Sequence, residues 1–131
     1  MNPKLDKILA EISAGELIDK ITILEIKKSK IKDADKQVEI NKELSSLKET
    51  FDKSLDQNNE LTKLIDELKG INLKLWDIED QKRKAEKSKN FGKDFIQLSR
   101  NVYKFNDERA KVKLQINEML GSRVKEVKSY N

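Results

Sequence analysis

From Leu61 to Leu120 the chain reads LTKLIDELKGINLKLWDIEDQKRKAEKSKNFGKDFIQLSRNVYKFNDERAKVKLQINEML, and its apolar residues fall into two ladders. The first is Leu61, Leu64, Leu68, Ile71, Leu75 and Ile78, and the second is Phe95, Leu98, Val102, Phe105, Val112, Ile116 and Met119. Both step by three and four residues, the spacing of a helix face, and the period of two that a strand requires is absent. Between them, Asn90-Phe91-Gly92 supplies residues able to take the left-handed conformation that ends a helix, as does Gly121 after the second ladder. Folding one ladder onto the other pairs Ile78 with Val102, Leu75 with Phe105, Leu68 with Val112, Leu64 with Ile116 and Leu61 with Met119. The stretch predicts an antiparallel helical hairpin.

Arg109 falls on the rung opposite Ile71, where the pattern asks for an apolar residue. An unpaired buried guanidinium costs several kcal/mol, so a structural ion pair is expected, and Glu67, one turn from Ile71, is the nearest acid within the hairpin. The alternative is an arginine snorkelling out of the seam.

Upstream, Ser13-Ala14-Gly15-Glu16 has the form of a capping box and starts a helix that carries Leu17, Ile18, Ile21, Ile23, Leu24 and Ile26 before turning lysine-rich. Its first half should be the most enclosed part of the molecule. Asp33-Ala34-Asp35 begins a second helix with a narrow seam at Ile40, Leu44, Leu47, Phe51 and Leu55, an outer helix wet on most of its surface. The expected architecture is all-α, an antiparallel bundle of about four helices in a single domain over residues 1–131, built on the long C-terminal hairpin. Helices are expected over 13–32, 35–57, 59–88 and 93–120, with an arm over 1–12, where Ile8, Ala10 and Ile12 alternate as in a short strand, and a tail over 121–131.

Composition narrows the chemistry. With no Cys and no His, the chain has no disulfides, thiolate chemistry, zinc sites of the usual kind or imidazole acid–base catalysis. Charged residues make up 40% of it, interleaved with apolar ones at helical spacing, which describes a bundle better than a disordered chain. No apolar run has the length of a membrane span, and the expected compartment is the cytoplasm. Of 28 basic residues only Arg83, Arg100, Arg109 and Arg123 are arginine. Where lysine is so favoured, each guanidinium suggests that its planar, two-pronged geometry is in use.

The blocks Gly15-Glu16-Leu17-Ile18-Asp19-Lys20-Ile21-Thr22-Ile23-Leu24-Glu25-Ile26-Lys27, Leu75-Trp76-Asp77-Ile78-Glu79-Asp80, Val102-Tyr103-Lys104-Phe105-Asn106-Asp107-Glu108-Arg109 and Lys128-Ser129-Tyr130 resemble a family of short bacterial proteins of unknown function. Its members tend to lie near genes for glycosyl transfer and surface-polysaccharide synthesis. The resemblance runs nearly end to end and implies a setting without supplying an activity.

Second faces of the helices supply the candidate sites. Arg100, Tyr103 and Asp107 of the last helix, with Trp76 and Asp80 of the preceding one and Lys20 of the first, offer charge, a phenol and an indole for an anionic sugar or a nucleotide phosphate. The competing reading is an ion-pair network that fixes helix register, with the aromatic rings as core. The acid pairs Glu16/Asp19 and Asp77/Asp80 suggest a Mg²⁺-dependent phosphohydrolase of the all-α type, although their separation is longer than in such enzymes. Small helical chorismate mutases need arginines on the first helix, and this first helix has none. Lys82, Arg83, Lys84, Lys87, Lys89 and Lys93 cluster at the hairpin turn, a patch suited to polyanions or nucleic acid. Phe91 is the lone aromatic residue there, so a solvated lysine face is the better reading. The favoured function is a non-catalytic accessory bundle, acting through a protein partner or self-association and linked to cell-surface polysaccharide synthesis. It requires no cofactor; Mg²⁺ enters only under the enzyme alternative.

Overall fold

The computed structural model describes residues 4–129, so that residues 1–3 of the arm and Tyr130 and Asn131 of the tail lie outside it. Four helices follow one another: α1 (Ala14–Lys30), α2 (Ala34–Ser54), α3 (Asn59–Lys87) and α4 (Lys93–Leu120). No strand occurs among the described residues, and residues 4–12 form an irregular arm with Leu5, Ile8 and Leu9 exposed.

Each boundary has a local chemical cause. Ser13 Oγ accepts a hydrogen bond from the Glu16 N–H at 3.1 Å, Asp33 from Lys36 at 3.0 Å and Asn58 from Leu61 at 2.9 Å, each satisfying a free amide at a helix start. The capping box is only half made, because the Glu16 carboxylate turns to Lys113 on α4, 2.7 Å away. At the far end of α4, Gly121 adopts φ 67°, as expected of a left-handed cap. The hairpin turn differs from expectation: the left-handed residue is Lys89, at φ 55°, and Gly92 instead caps α4 with φ −78°. Phe91 packs edge-on to Phe95 with ring centroids 5.3 Å apart, which closes the turn.

The hairpin has the expected register. Lys74 Nζ lies 5.2 Å from the Phe105 ring centroid and Lys82 Nζ 5.8 Å from that of Phe95, so α3 and α4 run antiparallel with Leu75 beside Phe105. Leu61, Leu68, Ile71, Val112 and Ile116 form the main core with Ile18 of α1, flanked by Leu64, Leu75, Phe105 and Met119.

Helix α1 lies between the hairpin and α2. One face sends Ile18 into the main core, and Leu17, Ile21 and Leu24 meet Ile40 and Leu44 of α2 in a second cluster. As expected, it is the most enclosed helix, and α2 is peripheral, packing along α1 and reaching the main core only near its C-terminal end, at Phe51. No helix among the described residues is long and apolar enough to cross a membrane.

Helix α1 covers only part of the second face of the hairpin: Trp76 is half-buried near Ile23 and Ile26, whereas Leu73, Ile96 and Tyr103 are 40%, 48% and 63% exposed. With 17 residues against 29 in α3, α1 is roughly 18 Å shorter at 1.5 Å per residue. Its N-terminus is anchored by Asn117 near the open end of the hairpin, which leaves the half towards the turn bare.

Candidate functional site

Where α1 crosses the hairpin, polar side chains are buried together. Asp19, 1% exposed, accepts Arg109 Nε at 2.9 Å and Arg109 Nη2 on its two oxygens, and Asn72 Nδ2 at 2.8 Å. Thr22, fully buried, donates to the Asp19 carbonyl at 2.8 Å and accepts a second Asn72 proton at 2.9 Å. Arg109 Nη1 reaches Asn106 Oδ1 at 3.3 Å. Arg109 therefore pairs with Asp19 of α1, and the expected pair with Glu67 is corrected: Glu67 is exposed on α3. The ladder placed Arg109 on the right helix, but its flank faces α1, and a carboxylate already dehydrated by burial is the stronger partner.

The charges of this cluster are locked. Burial would raise the Asp19 carboxyl, but the Arg109 and Asn72 hydrogen bonds and the charges of Arg109 and Lys113 outweigh it and hold the group below the usual carboxylate range. The Asp19 hydrogen bond in turn raises Arg109 above its ordinary value against the cost of burial. Lys113 is 5% exposed; burial pushes it down, and hydrogen bonds to Glu126 and Glu16 with the charge of Asp19 push it further up.

A second contact fixes α1 against α4. Gly15 N–H donates to Asn117 Oδ1 at 2.7 Å, and a Cβ at Gly15 would lie 2.5 Å from the Lys113 carbonyl oxygen. Ala14 N–H donates to Ser122 Oγ at 3.0 Å, so α4 and the residue just past its cap receive the free amides of the α1 N-terminus.

Beside the cluster opens a cleft of about 340 Å³. Helix α3 contributes Asn72, Trp76, Glu79, Asp80 and Arg83, helix α4 contributes Asn106 and Arg109, and α1 contributes Ile23 and Ile26. Two of the four arginines thus line the same cleft as the one tryptophan. Asn72 Oδ1, Asn106 Nδ2 and the Trp76 ring N–H make no side-chain hydrogen bond among the described residues, which leaves an acceptor and two donors for a ligand.

The sequence-derived candidates divide. Trp76 and Asp80 line the cleft, Lys20 sits 3.8 Å from Glu16, and Asp107 pairs with Lys128 at 3.1 Å. Arg100 and Tyr103 are exposed and do not line the cleft with Trp76 and Asp80, and Arg100 has no ion pair among the described residues; the arginine beside Trp76 and Asp80 in the cleft lining is Arg83, with Arg109. The acids Glu16, Asp19, Asp77 and Asp80 are not gathered: no group of three acids among the described residues is placed to hold a metal ion. Glu16 and Asp19 are bound to Lys113 and Arg109, while Asp77 is exposed. Of the basic turn, Arg83 joins the cleft and Lys82 lies over Phe95. Asn72, Thr22, Asn106, Lys113 and Asn117 did not stand out in sequence. Asp19 and Thr22, one turn apart in the apolar half of α1, were the readable signal, since a polar pair in such a setting requires buried partners.

No curated protein and no solved structure matches this chain. A family model matches residues 8–131, nearly the whole length: the chain belongs to the family of unknown function DUF6165.

Proposed function

We propose that this protein is a non-catalytic, cytoplasmic accessory of cell-surface polysaccharide synthesis, and that its cleft holds a single sugar unit against Trp76. The observation that carries the reading is the composition of the cleft. Arg109 is already neutralised by Asp19, which leaves Arg83 against Glu79 and Asp80, and the remainder is an indole, two carboxamides and the apolar side chains of Ile23, Ile26 and Leu75. A lining without excess positive charge, holding both donors and acceptors, suits a hydroxyl-bearing ligand better than a polyphosphate. The volume lies near the lower end for ligand pockets, closer to one sugar ring than to a nucleotide. The indole supplies an apolar face with a polar edge, as an amphipathic ring requires. The polysaccharide setting rests on the likeness of the sequence blocks to bacterial proteins found near glycosyl-transfer genes.

Because Trp76 is the one tryptophan in the chain, its fluorescence reports the cleft directly. Titration with glucose, galactose and glucuronate should shift the emission, with dissociation constants on the order of 1 mM, as expected for few contacts. Arg83→Gln should weaken the response about tenfold while leaving the fold intact, since Arg83 is exposed. An emission spectrum indifferent to every sugar at high concentration would end this reading.

A further inference from the structure

Past Gly121 the chain turns back along α4 and is held by polar contacts to three places. Arg123 Nε donates to Glu11 at 2.8 Å, Lys113 Nζ meets Glu126 Oε2 at 2.7 Å, and Lys128 Nζ meets Asp107 at 3.1 Å. Beneath this tail lies a second cavity of about 240 Å³, lined by Glu16, Asn106, Arg109, Lys113, Glu126 and Lys128. It shares Asn106 and Arg109 with the cleft.

The distribution of charge here is unusual. Four bases, Lys20, Arg109, Lys113 and Lys128, are paired with three helical acids, Glu16, Asp19 and Asp107, so the helices and Lys128 leave one positive charge over. The fourth acid is Glu126, on the irregular tail and half-exposed. It faces Lys113, whose side chain is 6% exposed and is built into the helical core. A buried ammonium that receives an acid from a surface segment is a cation with an exchangeable partner, because the tail contributes no apolar anchor at this point: Val127 is 93% exposed.

We infer that Lys113, Arg109 and Lys128 form an anion subsite, and that the Glu126 carboxylate occupies it in place of a ligand carboxylate or phosphate. The one positive charge that Glu126 balances fits one such group, and the chemistry common to both is an oxyanion able to accept from Lys113 Nζ and from the Arg109 N–H protons that Asp19 and Asn106 leave unused. The tail then opens when an anion takes the place of Glu126. This inference does not depend on the sugar reading, since the subsite is defined by the tail and not by Trp76.

The test uses the full chain and its Glu126→Gln variant, with acetate, inorganic phosphate, glucuronate and neutral glucose as probes, followed by amide chemical shifts at Glu16, Ala110 and Lys113. Glu126→Gln should bind an anion about tenfold more tightly than the parent, and glucose should leave these amides unmoved. Preference between acetate and phosphate assigns the ligand group. Adding Lys128→Gln at the rim should remove most of the gain. Equal anion affinity in parent and Glu126→Gln, with both folded by the same spectra, would overturn the inference and leave the Lys113–Glu126 pair purely structural. A glucose-silent Trp76 combined with anion binding in Glu126→Gln would defeat the sugar reading alone.

Discussion

At the scale of residues, stability turns on groups that carry no apolar surface. Asp19→Asn leaves Arg109 and Lys113 partly buried beside a neutral group, and breaking such a pair costs about 3 to 5 kcal/mol. Glu67→Ala, an exposed position, should stay within about 0.5 kcal/mol, so urea denaturation of the two variants discriminates between the partners available to Arg109. The sign of the pH dependence follows from the lowered Asp19 carboxyl. The unfolded chain binds this proton first as pH falls, so the contribution of Asp19 is complete above the ordinary carboxylate range and is lost as pH drops through and below it. Asp19→Asn should therefore flatten the acid limb of the stability profile; a limb as steep as the parent's would show that other carboxylates carry it. The glycines give a paired test. Gly15→Ala should destabilise by about 1 to 3 kcal/mol, because the Lys113 backbone oxygen stands 2.5 Å from the new carbon. Gly70→Ala, in mid-helix with nothing within 4 Å, should stabilise by about 0.5 to 1 kcal/mol.

At the scale of elements, the four helices are unequal. Leu68 is fully buried in the hairpin core, and Leu68→Ala should cost about 2 to 5 kcal/mol, whereas Leu55→Ala, half-buried just past the end of α2, should cost less. Helix α2 buries only Ile40 and Leu44 and leans chiefly on α1. Its amides should exchange with solvent faster than those of α3 between Leu61 and Ile78, because an element with one main neighbour opens without disrupting the rest. Uniform protection across α2 and α3 in a hydrogen-exchange series would mean that the bundle opens as one unit. The caps belong to this scale also. Ser13 and Asp33 were legible as helix starts because capping is chemistry within four residues. The fate of the Glu16 carboxylate was not, because its choice of Lys113 over its own helix depends on a residue 97 positions away.

At the scale of the whole molecule, the mismatch in helix length shapes the surface. Since α1 ends short of the turn, Ile96, Tyr103 and Arg100 stay in water, and the cleft lined by Trp76 and Arg109 forms at the edge of the covered zone. Ile96→Ser should thus change stability by no more than about 0.5 kcal/mol in thermal or urea melts. A large loss would show that this face is covered in solution.

By itself the sequence determined the all-α class, the four helices and the register of the hairpin. Each of these follows from a periodicity read along one segment, or from two such periodicities matched through a short turn. The caps at Ser13, Asp33 and Gly121 were read from local chemistry, and the enclosure of α1 and the exposure of α2 from the width of each apolar stripe. Only the tertiary structure decided which acid meets Arg109, which arginine enters the cleft and how much of the hairpin α1 covers. Those outcomes depend on the crossing of α1 over α4 at Gly15, a contact that juxtaposes residues about a hundred positions apart and is fixed by the fit of a missing Cβ against the Lys113 carbonyl. Local spacing carries no information about such a crossing, so a grouping drawn from helix faces alone centred on Arg100, while the cleft opens beside Arg109.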